Sequence, residues 1–407
     1  MKKIKAVVNV ILSIFVVCYI IFIPSTVFVS LKAKQLEINR SEDVRYSGIL
    51  ELWNIDTFEG GSVGRTKWLE KRATEFESKN KGLFIVVNNL SLEQAKLNLE
   101  KGTVPDMVSF GIGAGEILEP YLNEYSGKQS AIESLLKAGR VNGKQYAIPY
   151  LLGAYFSFSN QVDSKETVVG VNGNNLPLLA LLNKSDKSYE FADCSFSLDS
   201  YGAYEKYIQE KYCTLIGTQR DFVRINNRIS NGKILEQNIE LLSGFSDLVQ
   251  YISICCKTTA EKEICTNFIE YITSSAVQKN IGQISMFSVL DENLDSSSDM
   301  RTYEKELKKN LSTINVFYGE TKLNQIKSET LDALKGDKTK TKELNKILLW
   351  GVYAKRVRHK NWYRYNWNDI IKNWLCCQIF CGDIKYQSTK ESIKFLFKGK
   401  YTILHFG

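Results

Sequence analysis

The chain has 407 residues, 44% of them apolar, and a formal charge of +8 at neutral pH. That length is enough for two domains of ordinary size, and the apolar content is that of a globular protein, so disorder is not the default reading. The charge is uneven: Thr321 to Gly407 carries 18 Lys and Arg against 7 Asp and Glu, leaving a slightly acidic body, so no nucleic-acid partner is expected for it.

The chain opens with Lys2, Lys3 and Lys5, followed by an uncharged apolar run from Ala6 to Leu31. At about 1.5 Å per residue that run is long enough to cross a bilayer core of roughly 30 Å. It lacks a good small-x-small cleavage site, so residues 1–34 read as an uncleaved anchor with the lysines inside and the body on the extracytoplasmic face of the cell membrane. After a polar spacer, "GILELWNIDTFEGG" (Gly48 to Gly61) begins with a strand-like alternation and ends in a loop rich in Asp, Glu and Gly. "RTKWLEKRATEFESKNKG" places Trp68, Leu69, Ala73 and Phe76 on one helical face, with Gly82 just past its end. "LFIVV" is a second strand, "SLEQAKLNLEKG" a second helix capped by Ser91, and "MVSF" (Met107 to Phe110) a third strand. This β-α-β-α-β alternation predicts a parallel sheet covered by helices, with ligands outside the carboxyl ends of the strands.

The third strand stops in "GIGAGE", with glycines at 111, 113 and 115, which suits a loop approached closely by something else. The spacing is not the dinucleotide fingerprint, and "GGSVGRT" (Gly60 to Thr66) falls one residue short of a P-loop with Arg65 in place of lysine. "GKQYAIPYLLGAYFSFSN" (Gly143 to Asn160) reads as two strands around a Pro149-Tyr150 turn and a Gly153 break that carries the chain into a second lobe. Residues 161–243 are more polar. "SGFSDLVQYISI" (Ser243 to Ile254) returns to strand character, and Ile264, Phe268 and Ile272 recur at intervals of four on a helix.

The two histidines, His359 and His405, both lie in the basic tail, so the body has none for a metal site, a shuttle or a triad, and no metal or cofactor is expected. Nine cysteines occur without a CxxC pair. A disulfide between Cys194 and Cys213, or between Cys255 or Cys256 and Cys265, is open to an exported protein, but buried free thiols are the favoured reading.

The leader, "GILELWNIDTFEGG", "TEFESKNKGLFIVV", "GTVPDMVSFG", "NGKQYAIPY" and "SFSN", taken in that order and spacing, resemble the extracellular solute-binding proteins of ABC importers, the sugar-binding type in particular. "GTQRDFVRINNR", "FSDLVQYISI" and "FIEYITSSAVQKNIGQISMFSV" look like later segments of the same family. The resemblance implies an α/β, two-lobed periplasmic-binding-protein type II fold with a hinge cleft. It implies lobe 1 at 47–160, lobe 2 at 161–243 and a return to lobe 1 with C-terminal helices at 244–349; lobe 2 is short for the family, and the basic, Trp-rich extension at 350–407 matches nothing in it. It also implies a monomer that is not an enzyme and hands a carbohydrate to ABC permease subunits.

Sugar faces pack on aromatic rings while hydroxyls take carboxylates, amides and guanidinium groups. By location the candidates are Trp53, Asp56, Phe58 and Glu59 at the end of the first strand, Gly111 and Gly113 at the end of the third, Tyr150 and Tyr155 flanking the crossover, and Arg220 with Asp221 in the later segment. Trp53 divides evenly between core and site, and Arg220 with Asp221 reads slightly better as a structural ion pair. Two rivals remain: a surface glycoside hydrolase using Asp56 or Glu59 with Glu116, and a degenerate relative acting as sensor or scaffold.

Overall fold

The computed structural model describes residues 46–58, 64–160, 166–170, 173–183, 194–292 and 301–350, together with three strands between 385 and 405. The chain divides into two units, Met1–Gly351 and Val352–Gly407. The apolar leader lies outside the described residues, among which no helix is long and apolar enough to cross a membrane.

The first unit opens with β1 (Gly48–Ile55), α1 (Arg65–Lys79), β2 (Leu83–Leu90), α2 (Leu92–Glu100) and β3 (Met107–Phe110), the alternation read from the sequence. It continues through α3 (Gly115–Leu118), α4 (Glu133–Ala138), the β4–β5 hairpin (Arg140–Val141, Lys144–Gln145), β6 (Ile148–Leu152) and β7 (Tyr155–Ser159). Next come β8 (Thr167–Val169), α5 (Pro177–Asn183), β9 (Cys194–Ser195), α6 (Ser200–Ile208), β10 (Thr214–Thr218), α7 (Gln219–Ser230) and β11 (Asn238–Leu241). The unit ends with β12 (Val249–Ile254), α8 (Thr259–Ile272), α9 (Ser275–Gln278), α10 (Arg301–Lys309), β13 (Ser312–Thr313), α11 (Glu320–Leu334), α12 (Lys338–Ile347) and β14 (Leu349–Trp350).

Two five-stranded sheets organise these elements, one in the order β2-β1-β3-β12-β6 and the other in the order β11-β7-β10-β8-β9. In the first, α1 buries the predicted face, Trp68, Leu69, Ala73 and Phe76. α2 starts in a capping box: Ser91 Oγ accepts from the Gln94 N–H at 3.1 Å and Gln94 Oε1 from the Ser91 N–H at 2.9 Å. α8 lies beside α1 with Ile264, Phe268 and Ile272 buried as their spacing implied, and the Phe76 and Phe268 rings meet edge to face at 5.3 Å.

Three expectations are corrected. The first sheet is mixed, because β12 is antiparallel to both β3 and β6. β6 carries the chain out toward the second sheet and β12 brings it back, so these neighbours run in opposite directions. Pro149 does not turn the chain but sits inside β6, an edge strand, where β12 shifts register at Gln250/Tyr251, and a residue without an N–H is tolerated at such a place. The chain enters the second sheet at Tyr155, ahead of residue 160.

The connections between the sheets lie side by side. The Gly153 N–H donates to Leu248 O at 2.6 Å, Ser246 Oγ to Gly153 O at 2.8 Å, and the Ser246 N–H to Ser312 O at 3.0 Å. A third segment, around Ser312, is thereby stitched to the two crossings. α11 packs on α5, with Lys327 Nζ donating to Gly173 O at 2.8 Å, so the C-terminal helices add cover to the half that the sequence showed as short.

Cys213, Cys255, Cys256 and Cys265 are free thiols. Cys194 on β9 and Cys213 just before β10 have β8 between them, which separates them by roughly 10 Å at ordinary strand spacing, beyond disulfide reach. The second unit contains an antiparallel meander, β15 (Lys385–Ser388), β16 (Ser392–Phe397) and β17 (Lys400–His405). Most of the Trp-rich segment, 351–384, lies outside the described residues.

Candidate functional site

The end of β3 carries three glycines, and at Gly113 it meets a loop of the second half. A side chain at Gly111 would collide with Thr57 Oγ1 and crowd the carbonyl of Val249, one at Gly113 would collide with the Asn174 amide, and one at Gly115 with the Val316 carbonyl. Gly113 also has φ +90°, a backbone that favours glycine. The close approach read from the sequence is therefore made here by the protein's own chain, from both sides of the junction. Glu116, next in line, lies with its carboxylate against Gly319, the residue that caps α11, where the helix end favours negative charge.

Beneath these loops runs a buried polar row. Asn54, Ser109 and Gln250 each interrupt an apolar strand, and they converge. Ser109 Oγ donates to Asn54 Oδ1 at 3.0 Å, and Gln250 Nε2 donates to Ser109 Oγ at 3.0 Å and to Ile55 O at 2.9 Å. Tyr150 OH joins at 2.7 Å from Ser109 Oγ. Since Ile55 O needs a donor, the amide orientation of Gln250 is set. Its Oε1 is buried without a partner among the described residues, an acceptor suited to a hydroxyl.

A second cluster forms where the crossings meet α5 and α11. Asp247 is buried and accepts from Tyr155 OH at 2.7 Å, from the Leu176 N–H at 2.9 Å and from Asn175 Nδ2 at 3.4 Å. Burial raises its pKa to about 6, against the pull of these hydrogen bonds. Lys327 on α11 feels the opposite effect of the same cause, its ammonium pKa lowered by burial and partly restored by the charge of Asp247. Beside this cluster opens a cavity of about 160 Å³, walled by Asn175 to Leu179, Phe196, Lys327, Thr330 and Leu331. Its walls are apolar apart from the cation, the amide and Thr330, the combination that takes a flat apolar face with a few directed polar contacts.

No family model matches the chain, and no curated protein matches it. Solved structures do. The sugar-binding protein MalE of the phytopathogen Xanthomonas citri aligns over 74% of this chain and 95% of its own, with 11% identity and a TM-score of 0.51. The GacH receptor of Streptomyces glaucescens GLA.O, solved unliganded and with acarbose, aligns over 72% of this chain and 95% of its own, with 13% identity and a TM-score of 0.50. This chain has the fold of the sugar-binding substrate-binding proteins of ABC importers.

The junction of Gly113 with Asn174 lies where a loop that follows the first sheet's β3 meets a loop that follows the second sheet's β8. Several residues singled out from the sequence stand elsewhere. Trp53 is 1% exposed, because both faces of β1 are covered: Leu50 and Leu52 face one core, Trp53 and Ile55 the other, and its Nε1 donates to Glu51 Oε1 at 2.9 Å. Tyr150 and Tyr155 are also buried, the first stacked on Trp68 at 5.9 Å and the second bound to Asp247. Phe58 is buried beneath the Arg65 guanidinium, 4.1 Å from its ring centre, and Asp56 pairs with Arg65 at 3.1 Å. Glu59 lies outside the described residues. Asp221 closes the capping box of α7, accepting from the Thr218 N–H at 2.9 Å, and pairs with Arg224 at 3.3 Å, while the Arg220 N–H donates to Thr218 Oγ1. Of the carboxylates that a hydrolase would draw on, Asp56 pairs with Arg65 and Glu116 lies against the start of α11, while Glu59 is outside the described residues.

Sequence reasoning missed Asn174, Asp247 and Lys327. For Asp247 a signal existed: a lone carboxylate inside the apolar run "GFSDLVQYI". For Asn174 and Lys327 none did, since one sits in a polar loop and the other on a lysine-rich helix.

Proposed function

We propose that the chain is an extracytoplasmic binding protein, held to the membrane by its N-terminal apolar segment, that takes a carbohydrate between its lobes and presents it to the permease subunits of an ABC importer. The observation that carries this reading is the pair of sheets joined by adjacent crossings, with strand-end loops of one lobe meeting the Asn174 loop of the other, in a fold shared with proteins that bind sugars. Such an arrangement opens and closes about the crossings. The ligand-facing set is Thr57, Gly111, Gly113, Asn174, Asn175, Phe196 and Lys327. The sugar enters by replacing the contact of Asn174 with Gly113, lays an apolar face on the walls around Phe196, and directs hydroxyls to the amides and the ammonium. The fold belongs to binding proteins, and the reaction assigned to the chain is binding alone.

Calorimetric titration of the full chain in detergent with linear and cyclic oligosaccharides tests this. A saturable heat with at least one of them is expected, weakened about tenfold or more by Lys327→Met, the loss of roughly one charged hydrogen bond. Absence of saturable heat across the sugars, from a chain that melts cooperatively, overturns the proposal.

A further inference from the structure

β12 runs out into Cys255 and Cys256, and α8 carries Cys265 back over the same end of the sheet. Strand alternation sends the adjacent cysteines to opposite faces. Cys255 belongs to the core with Trp53 and α2, whereas Cys256 belongs to the core between the sheet and α8, where Cys265 also lies. Cys256 Sγ is 3.9 Å from Cys265 Sγ, and both residues are buried. Both stand on fixed backbone. The N–H groups of Cys255 and Cys256 donate to Asp106 O at 2.8 and 3.1 Å, and Asn123 Nδ2 donates to Cys256 O at 2.8 Å. α8 itself is started by a capping box of Thr258 and Glu261. The sulfurs therefore stand about 2 Å outside bonding distance.

We propose that Cys256 and Cys265 form a dithiol that closes into an intramolecular disulfide when the chain folds in the presence of a disulfide oxidant. One cysteine thiolate attacks the oxidant, R–S–S–R; the oxidant's S–S bond breaks, one R–S⁻ leaves and is protonated, and a mixed disulfide remains. The thiolate of the second cysteine attacks the protein-side sulfur, forming the Sγ–Sγ bond and expelling the second R–S⁻. The two cysteines give up two electrons and two protons, and the oxidant becomes two thiols. The bond closes while α8 is still settling on the sheet, since in the folded chain the hydrogen bond with Cys256 and burial push the Cys265 thiol well up and shield both sulfurs from the oxidant. Once formed, it ties the strand that returns from the second lobe to the helix that follows. This inference is independent of the ligand.

Trypsin separates the pair, because cleavage after Lys257 and Lys262 leaves Cys256 on Ile234–Lys257 and Cys265 on Glu263–Lys279. The full chain is refolded with glutathione disulfide or with a reductant, its remaining thiols are capped, and it is digested. The oxidised sample is expected to yield these two peptides linked, separating on reduction, and to melt about 5 °C above the reduced sample. The link persists in Cys255→Ser and disappears in Cys256→Ser. Two separate, fully capped peptides from the refolded oxidised chain overturn the proposal, as does a link that survives Cys256→Ser. Circular dichroism of each sample confirms that it is folded before digestion.

Discussion

Asp247 has the least comfortable position of any described carboxylate at the lobe junction, because burial raises its pKa from 3.8 to about 6 even with three donors around it. Between these values the folded chain binds a proton that the unfolded chain has released. The stabilising contribution is therefore complete below about pH 4 and is lost as the pH rises through about 6. A shift of this size corresponds to about 3 kcal/mol at neutral pH. Asp247→Asn keeps an acceptor for the Leu176 N–H and removes the charge, so its melting temperature relative to wild type is expected to climb between pH 4 and pH 7; parallel profiles would show that the carboxylate does not titrate there. Trp53 makes the contrasting case. Its indole fills the core between β1 and α2, so Trp53→Ala is expected to cost about 3–5 kcal/mol in denaturant unfolding, with sugar affinity unchanged in whatever fraction stays folded. A selective loss of affinity at full stability would return Trp53 to the cleft.

At the scale of elements, local chemistry in the sequence was enough wherever it acted alone. Ser91 with Gln94 marked the start of α2, and Ser91→Ala should lower stability by about 1 kcal/mol, measurable from the urea midpoint. The four-residue spacing of Ile264, Phe268 and Ile272 likewise marked α8 and its buried face. What a segment does to its neighbours was less legible. Pro149 reads locally as a turn, and only the edge position of β6 and the irregular pairing opposite it admit it to a strand. The direction of β12 depends on where the chain returns from, information that no window of sequence holds. The glycines of "GIGAGE" announced a close approach without naming the partner, which proved to be Thr57, Asn174 and the Val316 carbonyl. Residue type drew attention to aromatic side chains for a sugar, but type cannot tell a ring in a core from a ring in a cleft when both faces of a strand are covered.

For the whole molecule, the question is whether the two lobes still exchange an internal contact for a ligand. The two crossings and the Ser312 segment lie side by side, and the Asn174 loop leads into α5, which packs on α11. A sugar that binds only the folded chain stabilises it by about 2.7 kcal/mol at a hundredfold excess over Kd, which is roughly 5–8 °C in Tm for a domain of a few hundred residues. Differential scanning fluorimetry over increasing oligosaccharide concentration should show this rise in the wild type. Lys327→Met should melt near the wild-type temperature without sugar, since the half-buried ammonium it removes is disfavoured by its surroundings, and should lose most of the sugar-dependent shift. A chain that has kept the fold but lost transport would give the opposite pattern: a sharp unliganded transition in both proteins and no shift with any sugar in either.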